Sequence, residues 1–370
     1  MPTMPFFSFD NINITAVAAA VPSEIVEVDS FKPQFGDELV ERFKTLTGIQ
    51  QFRRTASHQT ASDLGFVAAE EIIKKSNIDR NSIGALVFVA HSTDYRRPAT
   101  ACVLHKRFGL SKECVAFDVS LGCSAFVYGV QIVCSLMANS DIERALLIVG
   151  ETLTKMTYPK DKSVVMMFGD AGGAVLLEKK QGANIKGLLR TDGTGYRAII
   201  APAGGFRNMH TDTKPMMWDD GNERTLYNTY MNGTDVFNFS ISDVPMAIKD
   251  FLQKTNTTIE DYDYYIMHQA NYYIHKQLSK KLKMPLERMP VCLERYGNTS
   301  SPAIPLTLCD RFGKTNEGVI KTLMCGFGVG LSWGVISATL DTGAIYPIIE
   351  TDNVFTEGII NTPEDFKKEG

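Results

Sequence analysis

The chain has 370 residues, of which 44% are hydrophobic and 22% charged, and this ordinary globular composition argues against a disordered protein. The 38 Lys and Arg residues and the 42 Asp and Glu residues leave a formal charge of −4, which argues against a nucleic acid as the main partner. No segment approaches the roughly 20 apolar residues that span a bilayer, and the N-terminus lacks a signal-peptide pattern. We therefore expect a soluble, cytoplasmic protein without a membrane partner.

Short apolar runs alternate with amphipathic stretches through the first half of the chain. Strands are predicted at residues 85–90, 115–119, 145–149 and 173–178, and a helix is predicted at residues 124–137. Continuous apolar strands that alternate with helices are typical of a sheet covered by helices on both faces. The first half therefore predicts an α/β fold.

The second half repeats this alternation. Strands are predicted at residues 264–267, 322–325 and 331–339, and a helix is predicted at residues 271–282. The intervening segment 182–227 is rich in Gly, Asp, Asn and Thr and has weak periodicity, so it is interpreted as loops that connect the two halves. Residues 341–370 look like an appendage to which no chemistry can be assigned.

Seven cysteines are scattered along the chain without a C-x-x-C pair. Their odd number and mostly apolar surroundings are typical of free thiols in a reducing compartment, and buried free thiols would account for six of them. No Cys and His residues have the spacing of metal ligands, so neither a metal site nor a cofactor is expected.

Cys123 follows the predicted strand 115–119 and a tight turn through Gly122, and a helix is predicted to begin at or just after it. A thiol at a helix N-terminus lies near unpaired backbone N–H groups and the positive end of the helix dipole, and both favour the thiolate. The arrangement resembles a nucleophile elbow with sulfur in place of oxygen. A small apolar residue at the start of a buried helix would give the same pattern, so both interpretations stay open at this point.

His268 and Asn298 are candidate partners for the thiol. His268 lies at the end of a predicted strand, where ligands meet open α/β sheets, and Asn298 lies in a glycine-containing turn. An imidazole and an amide can together donate two hydrogen bonds to one thioester carbonyl oxygen. Each residue alone is more often structural, and a Cys/His/Asn set also occurs in cysteine hydrolases.

The segment CGFGVGLSWG, from Cys325 to Gly334, has three glycines within five residues. Such a segment allows a backbone N–H to point into a cavity. It could supply one donor of an oxyanion hole, with the N–H of Cys123 as the other.

In this order, these segments resemble the β-ketoacyl–acyl carrier protein synthase III family over about residues 10–340. The combination of HQAN and GNTS at this separation is the most specific part of the resemblance. The matching stretches are Thr47-Gly48-Ile49, GCSAF around Cys123, FGDAGGAVLL from Phe168, HQAN from His268, YGNTSSPAIP from Tyr296 and GFGVGLSWG from Gly326.

The resemblance implies a thiolase fold, in which two similar βαβαβαββ halves stack into a five-layer αβαβα arrangement and two subunits form a homodimer. On this basis we expect an N-terminal half at residues 1–180 with the nucleophilic cysteine and a C-terminal half at residues 181–340 with the histidine and asparagine. Residues 341–370 would be an extension of unknown role.

The resemblance also implies a two-stage reaction, a decarboxylative Claisen condensation that gives a 3-oxoacyl product. Cys123 would take an acyl group from a thioester on acyl carrier protein or coenzyme A, with the N–H groups of Cys123 and Val329 as the oxyanion hole. His268 and Asn298 would bind a malonyl-type thioester on acyl carrier protein and stabilise the enolate that forms as CO₂ leaves.

Basic residues are expected to dock the carrier. Lys276, Lys280 and Lys281 fall on the helix after His268, which the family uses to dock acidic carrier protein, although an ordinary solvated face would look the same. Lys162 could replace an arginine of the family.

The chain departs from the resemblance at several positions. Where the family holds coenzyme A with a Trp and two Arg residues, this chain has Arg42, Leu46 and Tyr273, which favours a donor bound to carrier protein. Arg97 stands where the family commonly has an apolar residue that closes the partner subunit's acyl pocket. We therefore expect a short, polar or oxygenated acyl group and a specialised lipid, secondary-metabolite or surface-polysaccharide pathway.

Three other functions stay open on the sequence. An acyltransferase could move the Cys123 acyl group to an oxygen or nitrogen acceptor without decarboxylation. A catalytically silent binding subunit would not need the retained Cys/His/Asn set, and a cysteine hydrolase would turn over peptide or amide substrates instead.

Overall fold

The structure is a computed structural model that describes residues 5–367. In chain order, its strands are β1 (Phe6–Pro22), β2 (Ile25–Glu27), β3 (Gln51–Arg53), β4 (Ala85–Val89), β5 (Val115–Val119), β6 (Arg144–Glu151), β7 (Ala171–Thr191), β8 (Ile199–Ile200), β9 (Met216–Met217), β10 (Glu223–Arg224), β11 (Tyr230–Met231), β12 (Tyr264–Met267), β13 (Val319–Gly328), β14 (Ser332–Asp341) and β15 (Ile349–Thr351). The helices are α1 (Lys32–Phe35), α2 (Asp37–Thr47), α3 (Ala61–Lys75), α4 (Thr100–Phe108), α5 (Ala125–Ala138), α6 (Gly233–Thr255), α7 (Tyr272–Leu282), α8 (Leu293–Tyr296) and α9 (Ala303–Phe312).

Nine of these strands form one mixed sheet, which the two long strands β1 and β7 divide into similar halves. In the first half the strand order is β5, β4, β6, β7, β1, with β5, β4 and β6 parallel to one another. In the second half it is β12, β13, β14, β7, β1, with β12 parallel to β13. The two halves therefore have the same strand order, and both end on the shared central strands β7 and β1. The predicted α/β class is confirmed.

The strand that includes the predicted segment 173–178 is much longer than expected, because β7 continues to Thr191. The prediction of loops was therefore wrong for residues 182–191. Polar residues there alternate with apolar ones that pair with β1 on one side and β14 on the other, so tertiary pairing overrides a composition typical of loops. The boundary predicted at residue 180 falls inside β7, and the division of the chain at that position stays a prediction.

Helices form three layers around the two halves of the sheet. Helices α3 and α4 pack against the outer face of the first half, and α6 and α7 pack against the outer face of the second. Helices α5 and α9 share a core with both halves and lie between them. This order gives the five layers of the predicted thiolase fold, which is confirmed. No helix within residues 5–367 is long and apolar enough to cross a membrane.

The residues after β14 are attached to the first half rather than separate from it. Strand β15 pairs in parallel with the end of β1. Beyond it, the N–H of Phe355 donates to Asp63 Oδ1 at 2.9 Å, and the Phe355 ring lies 4.7 Å from the guanidinium carbon of Arg107. Tyr95 donates to the carbonyl oxygen of Gly358 at 2.5 Å. The extension therefore braces α3, α4 and the loop after β4.

Candidate active site

The candidate catalytic residues follow strands whose carboxyl ends lie at one edge of the molecule. Cys123 follows β5, and His268 directly follows β12. Val329 directly follows β13, which runs parallel to β12 in register with it. Each half of the fold therefore contributes one set of groups, and the two sets line a single cavity.

Cys123 lies at the start of α5, as predicted, with Ser124 as the residue before the first helical position. Its side chain packs directly on the backbone of Gly328, which has φ +155°. A Cβ at Gly328 would lie 2.6 Å from Cys123 Cβ and 2.8 Å from the sulfur, so a side chain there would displace the thiol. The glycines of this segment are thus needed for the close approach of β13 to the cysteine.

The protonation of Cys123 differs from the prediction of a favoured thiolate. Burial raises the pKa of the Cys123 thiol above its usual value. The Ser300 hydroxyl, 3.5 Å from the sulfur, and the backbone N–H of Val329 oppose this effect, as does the N–H of Cys123 itself. Desolvation of the thiolate therefore outweighs these hydrogen bonds. The opposing contacts also place the N–H groups of both predicted oxyanion-hole residues at the sulfur.

His268 is buried, and its backbone N–H continues the β12–β13 ladder by donating to the Cys325 carbonyl oxygen at 2.8 Å. Burial, followed by the charge of the neighbouring His275, lowers the pKa of His268 to about 3. The imidazole is therefore neutral at physiological pH and can donate one hydrogen bond without carrying charge. His275 fixes the segment from the next turn, because its Nε2 lies 3.1 Å from the His268 carbonyl oxygen.

Asn298 is held by the segment FGDAGG. The N–H of Asn298 donates to the Met167 carbonyl oxygen at 2.9 Å, and its carbonyl oxygen accepts from Gly169 N–H at 3.1 Å. Its side-chain Oδ1 accepts from the backbone N–H of Ser300 at 2.9 Å. The Nδ2 group is consequently left as the donor on the cavity side.

The cavity between these groups has a volume of about 430 Å³. Cys123, His268 and Asn298 all line it, together with Ser300 and Val329. Most of the remaining lining is apolar, and it comes from the segment 153–168, from β8 and β11, and from α6 and α7. The structure thus places the three predicted catalytic side chains around one largely apolar cavity, where hydrogen-bond donors act strongly.

The predicted docking residues lie outside the cavity. Lys276, Lys280 and Lys281 are exposed on α7, and none of them forms an ion pair with a carboxylate within residues 5–367. Lys162 is exposed on the segment before β7. Tyr273, at the start of α7, is 45% exposed.

Helix α2 carries the remaining positions of the predicted coenzyme A site. Arg42 and Leu46 are exposed, and the neighbouring Gly48 packs against Tyr272 of α7. The exposed faces of α2 and α7 therefore border the same side of the molecule.

Arg97 is exposed and is not part of the cavity lining of its own subunit. The prediction places it in the acyl pocket of a partner subunit, and it stays a prediction.

Among the other cysteines, Cys102 is exposed, so the expectation of six buried thiols was wrong at that position. Cys102 lies on α4, whose outward face is not covered within the described subunit.

Three residues of the site were not identified from the sequence. His91 follows β4 and lines the cavity beside Cys123. Glu151, at the end of β6, is buried and accepts from the backbone N–H groups of His91 and Ser92 at 2.9 and 3.1 Å. Ser300 has φ +61°, an uncommon conformation for a residue other than glycine. For His91 and Glu151 the sequence did contain a signal, because each is a polar residue at or near the end of a predicted strand, where ligands meet α/β sheets.

Comparison with known proteins agrees with this geometry. The family profile described as 3-Oxoacyl-[acyl-carrier-protein (ACP)] synthase III matches residues 117–193, and the profile of the C-terminal part of the same synthase matches residues 252–340. Beta-ketoacyl-[acyl-carrier-protein] synthase III of Acholeplasma laidlawii is 32% identical over 87% of this chain and 96% of its own. The protein of the same name from Clostridium beijerinckii is 31% identical over 87% of this chain and 97% of its own.

The solved structure of a 3-oxoacyl-(acyl-carrier protein) synthase from Burkholderia xenovorans LB400 superimposes with a TM-score of 0.88 at 32% identity. It covers 95% of this chain and 100% of the other. Both the sequence and the fold are therefore shared over nearly the whole length. The chain belongs to the β-ketoacyl-[acyl-carrier-protein] synthase III family and is a condensing acyltransferase of that family.

Proposed function

We propose that this enzyme condenses an acyl group carried on Cys123 with a malonyl-type thioester, releasing CO₂ and a 3-oxoacyl product. The observation that carries the proposal is the convergence of Cys123, His268 and Asn298 on one apolar cavity, with the Nδ2 of Asn298 left as a donor. His268 is neutral, so it supplies a second donor. These groups suit the stabilisation of an enolate better than hydrolysis, since an imidazole with a pKa of about 3 is a weak general base for activating water.

In the first stage the Cys123 sulfur attacks the thioester carbonyl carbon. The new S–C bond forms, the carrier thiolate leaves, and the proton of the Cys123 thiol passes to that leaving group. The N–H groups of Cys123 and Val329 hold the oxyanion of the tetrahedral intermediate, a role supported by the hydrogen bonds from both groups to the sulfur region. The raised pKa of the thiol keeps it protonated until an acyl donor binds.

In the second stage the malonyl-type thioester binds with its carbonyl oxygen between His268 and Asn298. Cleavage of the bond to the carboxylate releases CO₂ and leaves an enolate on that oxygen. The enolate carbon attacks the acyl-Cys123 carbonyl, the S–C bond breaks, and the Cys123 thiolate takes up a proton from solvent. Each donor aimed at the developing charge would contribute about 3 kcal/mol to the barrier reduction.

The basic face of α7 is proposed to dock an acidic carrier protein. Lys276, Lys280 and Lys281 are exposed and have no carboxylate partner among the described residues, so their charges are available to a partner. Lys162, exposed on the segment before β7, would add a further contact. A coenzyme A site would use several planar groups to hold its ligand. The corresponding positions here, Arg42, Leu46 and Tyr273, provide a single guanidinium, which favours carrier protein as the donor's carrier.

A homodimer is proposed to complete the site. Strand β5 lies at the edge of the sheet, and in the described part of the chain it pairs with β4 alone. Its residues are only partly buried, and Val115 is 45% exposed. Pairing of two β5 strands would continue the sheet and cover this edge. The loop after β4 would then bring Arg97 to the partner subunit's cavity, where a guanidinium would favour a short, polar or oxygenated acyl group.

The proposal is tested by incubating the protein with short acyl thioesters, presented both on coenzyme A and on phosphopantetheinylated carrier protein, and recording intact mass and peptide masses. An acyl increment on Cys123 that is absent in Cys123→Ser is expected, with faster labelling from the carrier protein. Labelling elsewhere, or none from any donor with a folded protein, would contradict the proposal.

A specialised lipid, secondary-metabolite or surface-polysaccharide pathway is proposed because Arg97 and the positions on α2 depart from the family pattern.

A further inference from the structure

His91 is an imidazole at the active site that the two-stage reaction does not use. It lines the cavity that contains Cys123. Its ring also packs over Gly122, the residue before the nucleophile: a Cβ at Gly122 would lie 3.1 Å from His91 Cε1 and Nδ1 and 2.7 Å from Val329 Cγ1. His91 and Val329 therefore flank the turn that carries Cys123.

The backbone of His91 is held by a buried carboxylate. Glu151 is fully buried, and its Oε1 accepts from His91 N–H at 2.9 Å while its Oε2 accepts from Ser92 N–H at 3.1 Å. The Ser92 hydroxyl also donates to Oε2 and accepts from Thr152 N–H at 3.2 Å. Burial raises the pKa of Glu151, and these contacts oppose that effect. Burying a carboxylate costs free energy, and here the buried carboxylate of Glu151 holds the backbone of His91 in place beside Cys123.

The imidazole itself is free to meet a substrate. Its ring nitrogens have no hydrogen-bond partner among residues 5–367. Two other polar side chains of the cavity have partners at their own helices: Ser240 Oγ donates to the Val236 carbonyl oxygen, and Asn271 Oδ1 accepts from Ile274 N–H, while Thr229 also lines the cavity. His91 is exposed, so it lies at the open side of the largely apolar cavity as an available donor and acceptor, next to the point where the acyl group is attached.

We propose that His91 is a specificity-determining residue that hydrogen-bonds an oxygen on the second or third carbon of the acyl group carried by Cys123. The first substrate is then a short hydroxyacyl or oxoacyl thioester rather than a plain alkanoyl one. This inference rests on the proposed acylation of Cys123 and adds the chemical class of its substrate. A site with a fixed polar group discriminates against an analogue that lacks the matching oxygen, because an acyl chain that covers the imidazole displaces water from it and leaves the ring unpaired.

The test compares three acyl donors of equal chain length: butyryl, 2-hydroxybutyryl and 3-hydroxybutyryl thioesters on coenzyme A and on carrier protein. The rate of Cys123 acylation is followed by intact mass in the wild type, His91→Leu and His91→Gln. His210→Leu is the matched control, because His210 is exposed and lies outside the cavity lining. Circular dichroism verifies that each variant is folded.

The wild type and His210→Leu should prefer one of the hydroxyacyl donors to butyryl by about tenfold. His91→Leu should reduce this ratio to near one, mainly through slower use of the hydroxyacyl donor, and His91→Gln should restore part of it. A wild type that prefers butyryl, or a ratio that His91→Leu leaves unchanged, would overturn the inference and leave the condensing function intact. Absence of labelling by all three donors in every variant would instead overturn the proposed acylation step, and this inference with it.

Discussion

The side chain of Asn298 is oriented by Ser300: its Oδ1 accepts the Ser300 backbone N–H at 2.9 Å. This hydrogen bond determines which end of the amide faces the cavity. The acceptor is used within the turn, and the Nδ2 donor remains for a substrate oxygen. Ser300 adopts φ +61° to reach this position and also places its hydroxyl 3.5 Å from the Cys123 sulfur. One turn therefore arranges groups for both stages of the reaction.

Asn298→Asp should separate those two stages. The carboxylate can still accept from Ser300 but has no donor for the enolate oxygen, so condensation should fall by roughly 100- to 1000-fold while Cys123 is still acylated. Intact mass reports the acylation, and product formation from the loaded enzyme reports the condensation. Asn139→Asp, at an exposed helix end, is the matched control and should leave both unchanged. Equal loss of acylation and condensation in Asn298→Asp would contradict the assigned role.

Gly328→Ala should impair the first stage. The added Cβ would lie 2.8 Å from the Cys123 sulfur, which forces the thiol or β13 to shift, and a displacement of this size can lower a reaction rate by about 100-fold. The rate of Cys123 acylation measures the effect. Gly193→Ala is the comparison, because a Cβ there meets open space. Acylation at the wild-type rate in folded Gly328→Ala would mean that the close contact is not required.

The sequence permitted the identification of Cys123 as a nucleophile candidate because its context is local, a short apolar strand, Gly122 and a helix start. His268 and Asn298 lie far from it in the chain, and only the family motifs joined the three. His91 was missed because its place beside Cys123 depends on the pairing of β4 with β5, which a linear pattern does not contain. The raised pKa of the Cys123 thiol could not be predicted for a related reason, since burial is a property of the assembled fold.

The fold class was also predictable, and so were the strands β4, β5, β6, β12, β13 and β14, because their apolar runs are continuous, whereas the central strand β1 was not predicted. The second part of β7 was not, since Lys179 to Asn184 are polar and the strand persists through pairing with β1 on the other side of a bulge. The extension after residue 341 carried no periodic pattern. Its attachment rests on specific contacts such as that between Phe355 and Asp63.

Buried histidines should make stability depend on pH. The folded-state pKa values are about 3 for His268 and about 4 for His275, both below the ordinary 6.5. Stability is thus fully present above about pH 6.5 and is lost as the pH falls below it, because the unfolded chain takes up protons that the folded chain does not. Each group should contribute a slope of about 1.4 kcal/mol per pH unit in that window.

Urea unfolding at several pH values between 7.5 and 5 measures this slope. His275→Gln can keep the hydrogen bond to the His268 carbonyl oxygen, yet it does not titrate, so the pH dependence should become shallower. A slope that is the same in the wild type and in His275→Gln would show that this histidine is not held neutral by the fold.

The ion pair between Asp161 and Arg224 should contribute strongly to the stability of the segment before α6. Both side chains are fully buried, and Arg224 Nε lies 2.5 Å from Asp161 Oδ2. Asp161→Asn leaves the buried guanidinium with Asp220, 2.7 Å from Arg224 Nη2, as its remaining carboxylate partner, and should lower the free energy of unfolding by about 2 kcal/mol. Lys160→Gln, which removes the exposed pair with Glu223, should cost less than about 1 kcal/mol. Equal effects of the two substitutions in urea unfolding would contradict this prediction.

The central claim is that acyl-Cys123 is consumed by a decarboxylative carbon–carbon bond formation. The most direct measurement isolates the acylated enzyme, adds malonyl-carrier protein, and quantifies CO₂ and the 3-oxoacyl product in a single turnover. One CO₂ and one 3-oxoacyl-carrier product are expected for each acyl group lost from Cys123, and Asn298→Asp should release neither at a comparable rate. Loss of the acyl group to an oxygen, nitrogen or water acceptor without CO₂ release would contradict it.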